Sequence, residues 1–266
     1  MNGSRESLFR VALLWLITLI ILAALADAVP LPAPLNVDLS AMLKSPTISH
    51  PAGTDELGRD VLSRILHSAR STLVITAGAS FFSILLGVSL GSLAGYLGGW
   101  TERAVGILID LFWSVPFVIF VVLIVSIVGV TSWTLILTIG GINWVGAARV
   151  ARAETARLRE ADFLLAAKAH GLWGPHLIVM EVLPNLCRTI LTISAYAAME
   201  VMTLETGLAF LGLSLPAPTP TWGGMLADGL SYFSSAWWIV ITTAATVTAT
   251  LGSLQLIARR LERAAS

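Results

Sequence analysis

The chain has 266 residues, of which 56% are hydrophobic and only 12% charged, with 16 basic and 16 acidic side chains in balance. That composition excludes an ordinary water-soluble domain, and the zero net charge excludes a general binder of nucleic acid or of acidic partners. The chain is read as an all-α, polytopic membrane protein whose function depends on where its few charges sit.

Leu8 to Ala26 is the first apolar run, preceded by Arg5 and Arg10. At 1.5 Å per residue it is long enough for a hydrocarbon layer of about 30 Å. Ala24-Leu25-Ala26 before Asp27 resembles a cleavage site, yet the run is long for a secretory signal and more spans follow, so it is read as an uncleaved anchor. Ala28 to Ser68 is expected outside the membrane and opens with Pro30, Pro32 and Pro34, which favour extended chain. It continues into a polar cluster, Gly53-Thr54-Asp55-Glu56-Leu57-Gly58-Arg59-Asp60-Val61-Leu62-Ser63-Arg64, and on to Arg70. Asp60 and Arg64, four apart on a helix face, are expected to pair, and Glu56 and Asp60 have Arg59 and Arg64 within reach.

Five further spans are expected at Ser71 to Leu97, Ala104 to Val130, Trp133 to Val150, Leu186 to Leu213 and Ala236 to Ala258, which makes six. Ser83, Gly87, Gly91 and Gly95 recur every four residues and share one helix face, which lets another helix approach closely in lipid. Asp110 lies early in the third span, before Trp113 and Pro116, and either bonds a neighbouring helix or faces an aqueous vestibule. Glu200 and Glu205 are ionisable groups within the fifth span; about 100° per residue separates them by roughly 140°, so they are not expected to form a paired-carboxylate site. Trp237 and Trp238 suit an interfacial aromatic belt, and the single cysteine, Cys187, is read as packing.

The polar stretch from Ala147 to Asn185 interrupts the second half of the chain. Within it Asp162 is expected to cap a helix over Phe163 to Ala169, closed by Gly171 in a left-handed conformation. Pro175 suits the first turn of a second helix, and Pro184 should end or kink it. With the N-terminus inside, twelve of the 16 basic residues fall on the cytoplasmic side, and only Lys44, Arg59, Arg64 and Arg70 outside. That asymmetry predicts both termini in the cytoplasm. The division expected is residues 1–27 for the first tail and span, 28–69 for the external segment, 70–258 for a five-helix core with the loop 147–185, and 259–266 for a second tail.

No phosphate-binding GxxxxGK[ST] loop, no zinc-type His/Cys spacing and no GxSxG elbow is present, and His50, His67, His170 and His176 are scattered. No catalytic residue and no metal site is assigned, so energy must come from a partner or an ion gradient. A proton-driven secondary transporter using Asp110, Glu200 and Glu205 is the competing class.

Three stretches carry a family resemblance. GTDELGRDVLSRILHSARSTL closely resembles the GTDxxGRDxxSRxxxGxRxSL signature of permeases that import dipeptides, oligopeptides or nickel, with Ser68 in place of a glycine. Leu165-Ala166-Ala167, Gly171 and Leu183-Pro184-Asn185 resemble the EAA loop of permease subunits in ABC importers, with Leu165 where a glutamate usually stands. Leu204-Glu205-Thr206-Gly207-Leu208 through Pro216, Pro218, Pro220 and Trp222-Gly223-Gly224-Met225-Leu226 resembles the same family's segment after the fifth span. The resemblance implies a type I ABC importer permease fold in the bacterial inner membrane. It implies a second similar permease chain, two ATPase subunits that bind ATP and magnesium, and an external solute-binding protein as partners. It marks Leu165, Ala166, Ala167, Lys168, His170 and Gly171 as the contact with the ATPase. It marks Gly53, Thr54, Asp55, Gly58, Arg59, Asp60, Ser63, Arg64 and Arg70 as the external motif and matches Asp110 and Glu205; these two, with Glu200 as the other ionisable group in the fifth span, are the candidates for the solute path.

Overall fold

The computed structural model describes residues 2–172 and 174–265, without the side chains of residues 2–5, 168, 175, 264 and 265. The helices are α1 (Asn2–Ala24), α2 (Val61–Leu97), α3 (Gly99–Ser114), α4 (Phe117–Val128), α5 (Ser132–Leu158), α6 (Asp162–Ala169), α7 (Gly174–Leu177), α8 (Leu183–Phe210), α9 (Trp222–Ser231) and α10 (Trp237–Ala265). Among the described residues there is no strand, and an isolated bridge joins Thr54 to Asp60.

Five helices, α1, α2, α5, α8 with the turn before it, and α10, are long and apolar enough to cross a membrane. The expected third span, Ala104 to Val130, is not one helix: α3 and α4 form a sixth crossing only as a pair, bent by 84°. Pro116 is the cause. It has no N–H to continue the ladder, and its ring drives Val115 into extended backbone at φ −107°, ψ 130°, so α3 stops at Ser114.

Two other boundaries move. Helix α2 begins at Val61, before Ser71, and its 37 residues reach about 55 Å at 1.5 Å per residue, far beyond the hydrocarbon layer. Helix α5 runs on past Val150 to Leu158, so the polar stretch that starts at Ala147 begins inside a helix. Its buried positions there, Ala147, Ala148, Ala151 and Thr155, explain why.

Those positions face the glycine stripe of α2. A Cβ on Gly87 would lie 2.5 Å from the Trp144 carbonyl oxygen, on Gly91 2.4 Å from that of Ala148, and on Gly95 2.4 Å from that of Arg152. The absent side chains therefore let two backbones meet, as their spacing suggested. Numbers rise together along the two helices, so α2 and α5 run parallel. The 38–60 segment before α2 and the 159–177 segment after α5 consequently lie at opposite ends of the bundle.

Ile75, Ala79, Val121, Leu135, Ile139, Val201 and Leu208 form the central core where α2, α4, α5 and α8 meet. Helix α1 lies against α10 and α2 through Leu19 and Ala23, and Trp15 Nε1 donates to Thr250 Oγ1 at 3.1 Å. Cys187 is exposed rather than packed, a correction to its expected structural role.

Candidate functional site

The segment over 53–64 is a closed knot of hydrogen bonds. Asp55 is 1% exposed; its Oδ1 accepts the Leu57 and Arg59 amides at 2.9 Å each, and its Oδ2 accepts Arg59 Nε at 2.7 Å and the Arg64 guanidinium. Arg59 also donates to Glu56 Oε1 at 2.6 Å. Asp60 does not pair with Arg64 as expected. It is the N-cap of α2, accepting the Ser63 amide at 2.7 Å, and its other oxygen meets His50 Nδ1 at 2.9 Å. With one oxygen of Asp60 on the helix start and the other on His50, Arg64 turns to Asp55 instead.

The knot is fastened to the ends of other helices. Thr54 Oγ1 donates to the Ala41 carbonyl, and Trp238 Nε1 donates to the Thr54 carbonyl at 3.1 Å. Gly53 and Gly58 have φ of +74° and +72°, and a Cβ on Gly58 would lie 1.8 Å from the Asp38 carbonyl oxygen. Only glycine fits there. Trp238 is thus 5% exposed and a bolt for this loop, which corrects its reading as a belt residue, while Trp237 is 53% exposed. Trp222 Nε1 reaches the Ile65 carbonyl at 3.1 Å, and Ser68, fully buried, donates to Met225 Sδ at 3.3 Å. Arg70 ties α1 to α2, donating to the Ala24 carbonyl at 3.0 Å and to Asp27 Oδ2 at 2.9 Å. That hydrogen bond, with His67 adding a second, holds the Asp27 carboxyl below its ordinary 3.8. Between the knot and the 214–221 segment lies a cleft of about 560 Å3, with Glu56, Arg59, Ser214, Thr221 and Asp228 on its walls.

At the opposite end, α6 is built differently. Asp162 is its first residue rather than the residue before it, and the Ala161 carbonyl accepts the Leu164 and Leu165 amides at 3.0 and 3.2 Å. Gly171 closes the helix at φ +88°, and the Leu172 amide returns to the Ala167 carbonyl at 3.1 Å. Leu164 is fully buried with Leu177, Val182 and Leu186, and Tyr96 and Leu158 lean on the same cluster. Phe163 and Leu165 point outward, 39% and 52% exposed, and Ala166, His170 and Gly171 are exposed beside them. The expectation for the Lys168 side chain falls outside the described residues.

Pro175 sits in the first turn of α7, as expected. Pro184 does not break the next helix. The chain instead widens into a π-helical turn over Ile178–Val182 and continues into α8, and Asn185 Nδ2 donates to the Glu181 carbonyl at 2.7 Å beside the missing proline N–H.

The three membrane carboxylates have separate partners. Asp110 is 81% exposed by its side chain, 3.9 Å from Arg149, whose guanidinium lies 4.0 Å from the centre of the Trp113 ring. Glu200 accepts from the Asn143 amide nitrogen, with that amide turned toward it, at 3.1 and 3.3 Å. Glu205 is 1% exposed and accepts from Ser214 Oγ at 3.3 Å. Each has its own polar neighbour, and among the described residues no hydrogen bond joins one of the three to another.

The model of the family described as "Binding-protein-dependent transport system inner membrane component" matches residues 87–263. The chain belongs to this family. The oligopeptide transport system permease protein OppC of Haemophilus influenzae is 32% identical over 211 residues, covering 77% of this chain and 67% of that protein. The dipeptide transport system permease protein DppC of Bacillus subtilis is 29% identical over 259 residues, covering 96% of this chain and 81% of that one. A chain of the MetNI methionine ABC transporter, in inward-facing conformations, aligns with a TM-score of 0.58 at 18% identity, over 77% of this chain and 97% of that chain, which shows a shared fold.

The chain is therefore an inner-membrane permease subunit of an ABC importer. The permease gathers the external motif residues into one knot but leaves Arg70 outside it, on the α1 contact. Trp238 and Asn143 were not expected to bond these sites. Their partners lie 184 residues away for Trp238 and on another helix for Asn143, distances that no local pattern carries.

Proposed function

We propose that this permease, with a second similar permease chain, forms a path for peptides across the inner membrane, driven by two separate ATP-hydrolysing subunits. Peptides are favoured over nickel or metal chelates because the relatives above are named for oligopeptide and dipeptide transport. An external solute-binding protein delivers the solute near the cleft beside the 53–64 knot. Both termini and α6 then lie in the cytoplasm, in line with the basic-residue asymmetry.

One observation carries the coupling reading: α6 has a buried anchor, Leu164, and an exposed apolar edge, Phe163 and Leu165. A lone exposed edge of this kind suits a cleft in a partner, and a leucine in place of the usual glutamate makes the contact apolar. ATP and magnesium are bound by the ATPase pair. As that pair closes, α6 moves with it, and the Leu164–Leu177–Leu186 cluster passes the motion to α8. Leu158 and Tyr96 pass it to the ends of α5 and α2. The permease pair then alternates between openings toward the two sides.

The test uses the complex purified through a tag on this chain and reconstituted in vesicles. An ATPase subunit is expected to co-purify, and vesicles are expected to accumulate peptide on ATP addition, ahead of nickel chelates. Leu165→Asp, which desolvates a charge in the contact, should lower co-purification and uptake by about tenfold or more while the chain stays in the membrane. Normal uptake in that variant, or uptake with no ATPase bound, overturns the coupling assignment.

A further inference from the structure

Beside the start of α1 and the last turns of α10 there is a bowl of about 260 Å3. Its floor is apolar, made by Leu8, Phe9 and Leu256, and its wall is Arg259, Arg260 and Arg263. One carboxylate, Glu6, is on the rim, and it is engaged by Arg10 at 3.1 Å. The other acid nearby, Glu262, accepts a hydrogen bond from Tyr196 at 2.9 Å. The Glu6 charge is thus matched by a cation, and Glu262, whose partner Tyr196 is neutral, leaves the three guanidiniums in excess of the acids around the bowl. Arg259 and Arg260, by contrast, are exposed and have no hydrogen-bond or ion-pair partner among the described residues.

The apolar floor continues out of the bowl. Leu8 and Val11 on α1 are 53% and 62% exposed, on the side of a helix long and apolar enough to cross the membrane. A ligand that fits must therefore be anionic at one end and aliphatic at the other. Guanidiniums recognise phosphate oxygens through paired N–H donors, and basic pockets between membrane helices are suited to lipid headgroups. We propose that this bowl binds the phosphodiester headgroup of an anionic phospholipid, with an acyl chain lying along Leu8 and Val11. The site is built from both α1 and α10, so an occupied bowl clamps the two helices at a second place, about six residues along each from the bond between Trp15 and Thr250.

The full chain, purified with its accompanying subunits and stripped of lipid in neutral detergent, is titrated with three probes: dioctanoyl phosphatidylglycerol, dioctanoyl phosphatidylcholine and inorganic phosphate. Bound lipid is counted by native mass spectrometry. Saturable binding of phosphatidylglycerol is expected, preferred over phosphatidylcholine by roughly twenty-five-fold, about fivefold from each of two guanidiniums. Arg259→Gln with Arg260→Gln should abolish that preference, and Arg157→Gln with Arg159→Gln should keep it. Unchanged circular dichroism shows that each pair is folded, and Arg259→Lys with Arg260→Lys should restore most of the preference. Equal binding of the two lipids, or a preference that survives in the glutamine pair, overturns the proposal. Displacement of phosphatidylglycerol by inorganic phosphate at a similar concentration also overturns it, because the site would then read phosphate without the lipid.

Discussion

In the 53–64 knot, Asp55 accepts four donors and Asp60 caps a helix, both 1% exposed, whereas among the described side chains of α6 only Leu164 is buried, and Leu165 in it and His170 and Gly171 just after it are exposed. The two segments sit at opposite ends of the same parallel pair, α2 and α5. One is tied to α10 by Trp238 and to the 38–44 chain by Thr54; the other rests on a single apolar cluster. A segment held by buried, directional bonds moves only together with its helices. A segment resting on one apolar cluster has fewer directional bonds to break when it tilts, in line with the coupling role proposed for it.

The largest expected effect tests the rigid half of this contrast. Asp55→Ala leaves Arg64, 6% exposed, without its carboxylate and Arg59 with Glu56 alone, and breaking such a buried pair typically removes about 3–5 kcal/mol. Folded chain recovered from the membrane, and its thermal midpoint in detergent, should both fall sharply; a midpoint equal to that of the native chain would show that the knot is not what fixes this end. Next in size is Gly91→Leu, which drives a side chain into the Ala148 carbonyl and separates α2 from α5 along the seam joining the two ends. A loss of about 1–3 kcal/mol is expected in urea unfolding followed by fluorescence, more than for Gly146→Leu, where no atom lies within 4 Å.

Trp238→Phe keeps the packing and removes one hydrogen bond, to the Thr54 carbonyl, so about 1 kcal/mol should go, with faster amide exchange over 53–60 and none over 162–171. Exchange that rises equally at both ends would erase the distinction drawn between them. The smallest effect concerns the α1 contact. Because Arg70 holds the Asp27 carboxyl below 3.8 in the folded chain, that contact is fully present above 3.8 and is lost as pH falls through the lower folded value. Pepsin cleavage within 25–37 should therefore accelerate below that point in the native chain, and be equally fast throughout in Asp27→Asn.

Much of this was legible in advance. The glycine stripe of α2 was read correctly because the cause, backbone approach, needs only spacing on one helix. Gly171 was legible for a similar reason, as a left-handed residue closing a short helix. The bend between α3 and α4 had its signal in Pro116 but was masked by unbroken hydropathy from Ala104 to Val130. The Asp60–Arg64 pairing failed because three carboxylates and two guanidiniums lie within ten residues, and local spacing does not say which will be taken up by the helix start. For Leu165, Ala166 and His170 the structure supplies exposure, while their contact with an ATPase is a proposal for the experiment above.

By itself the sequence determined that the chain is a helical membrane protein, roughly where it crosses, and which family it resembles, since composition, run length and motif order are properties of the chain alone. Only the tertiary structure decided that Asp55 gathers Arg59 and Arg64 of the GTDELGRD stretch and the residues after it, that Trp238 is a bolt and not a belt residue, and that Glu200 and Glu205 answer to Asn143 and Ser214. The physical reason is that a buried polar group must find a partner wherever the fold brings one, and that partner is chosen by which helices meet in space.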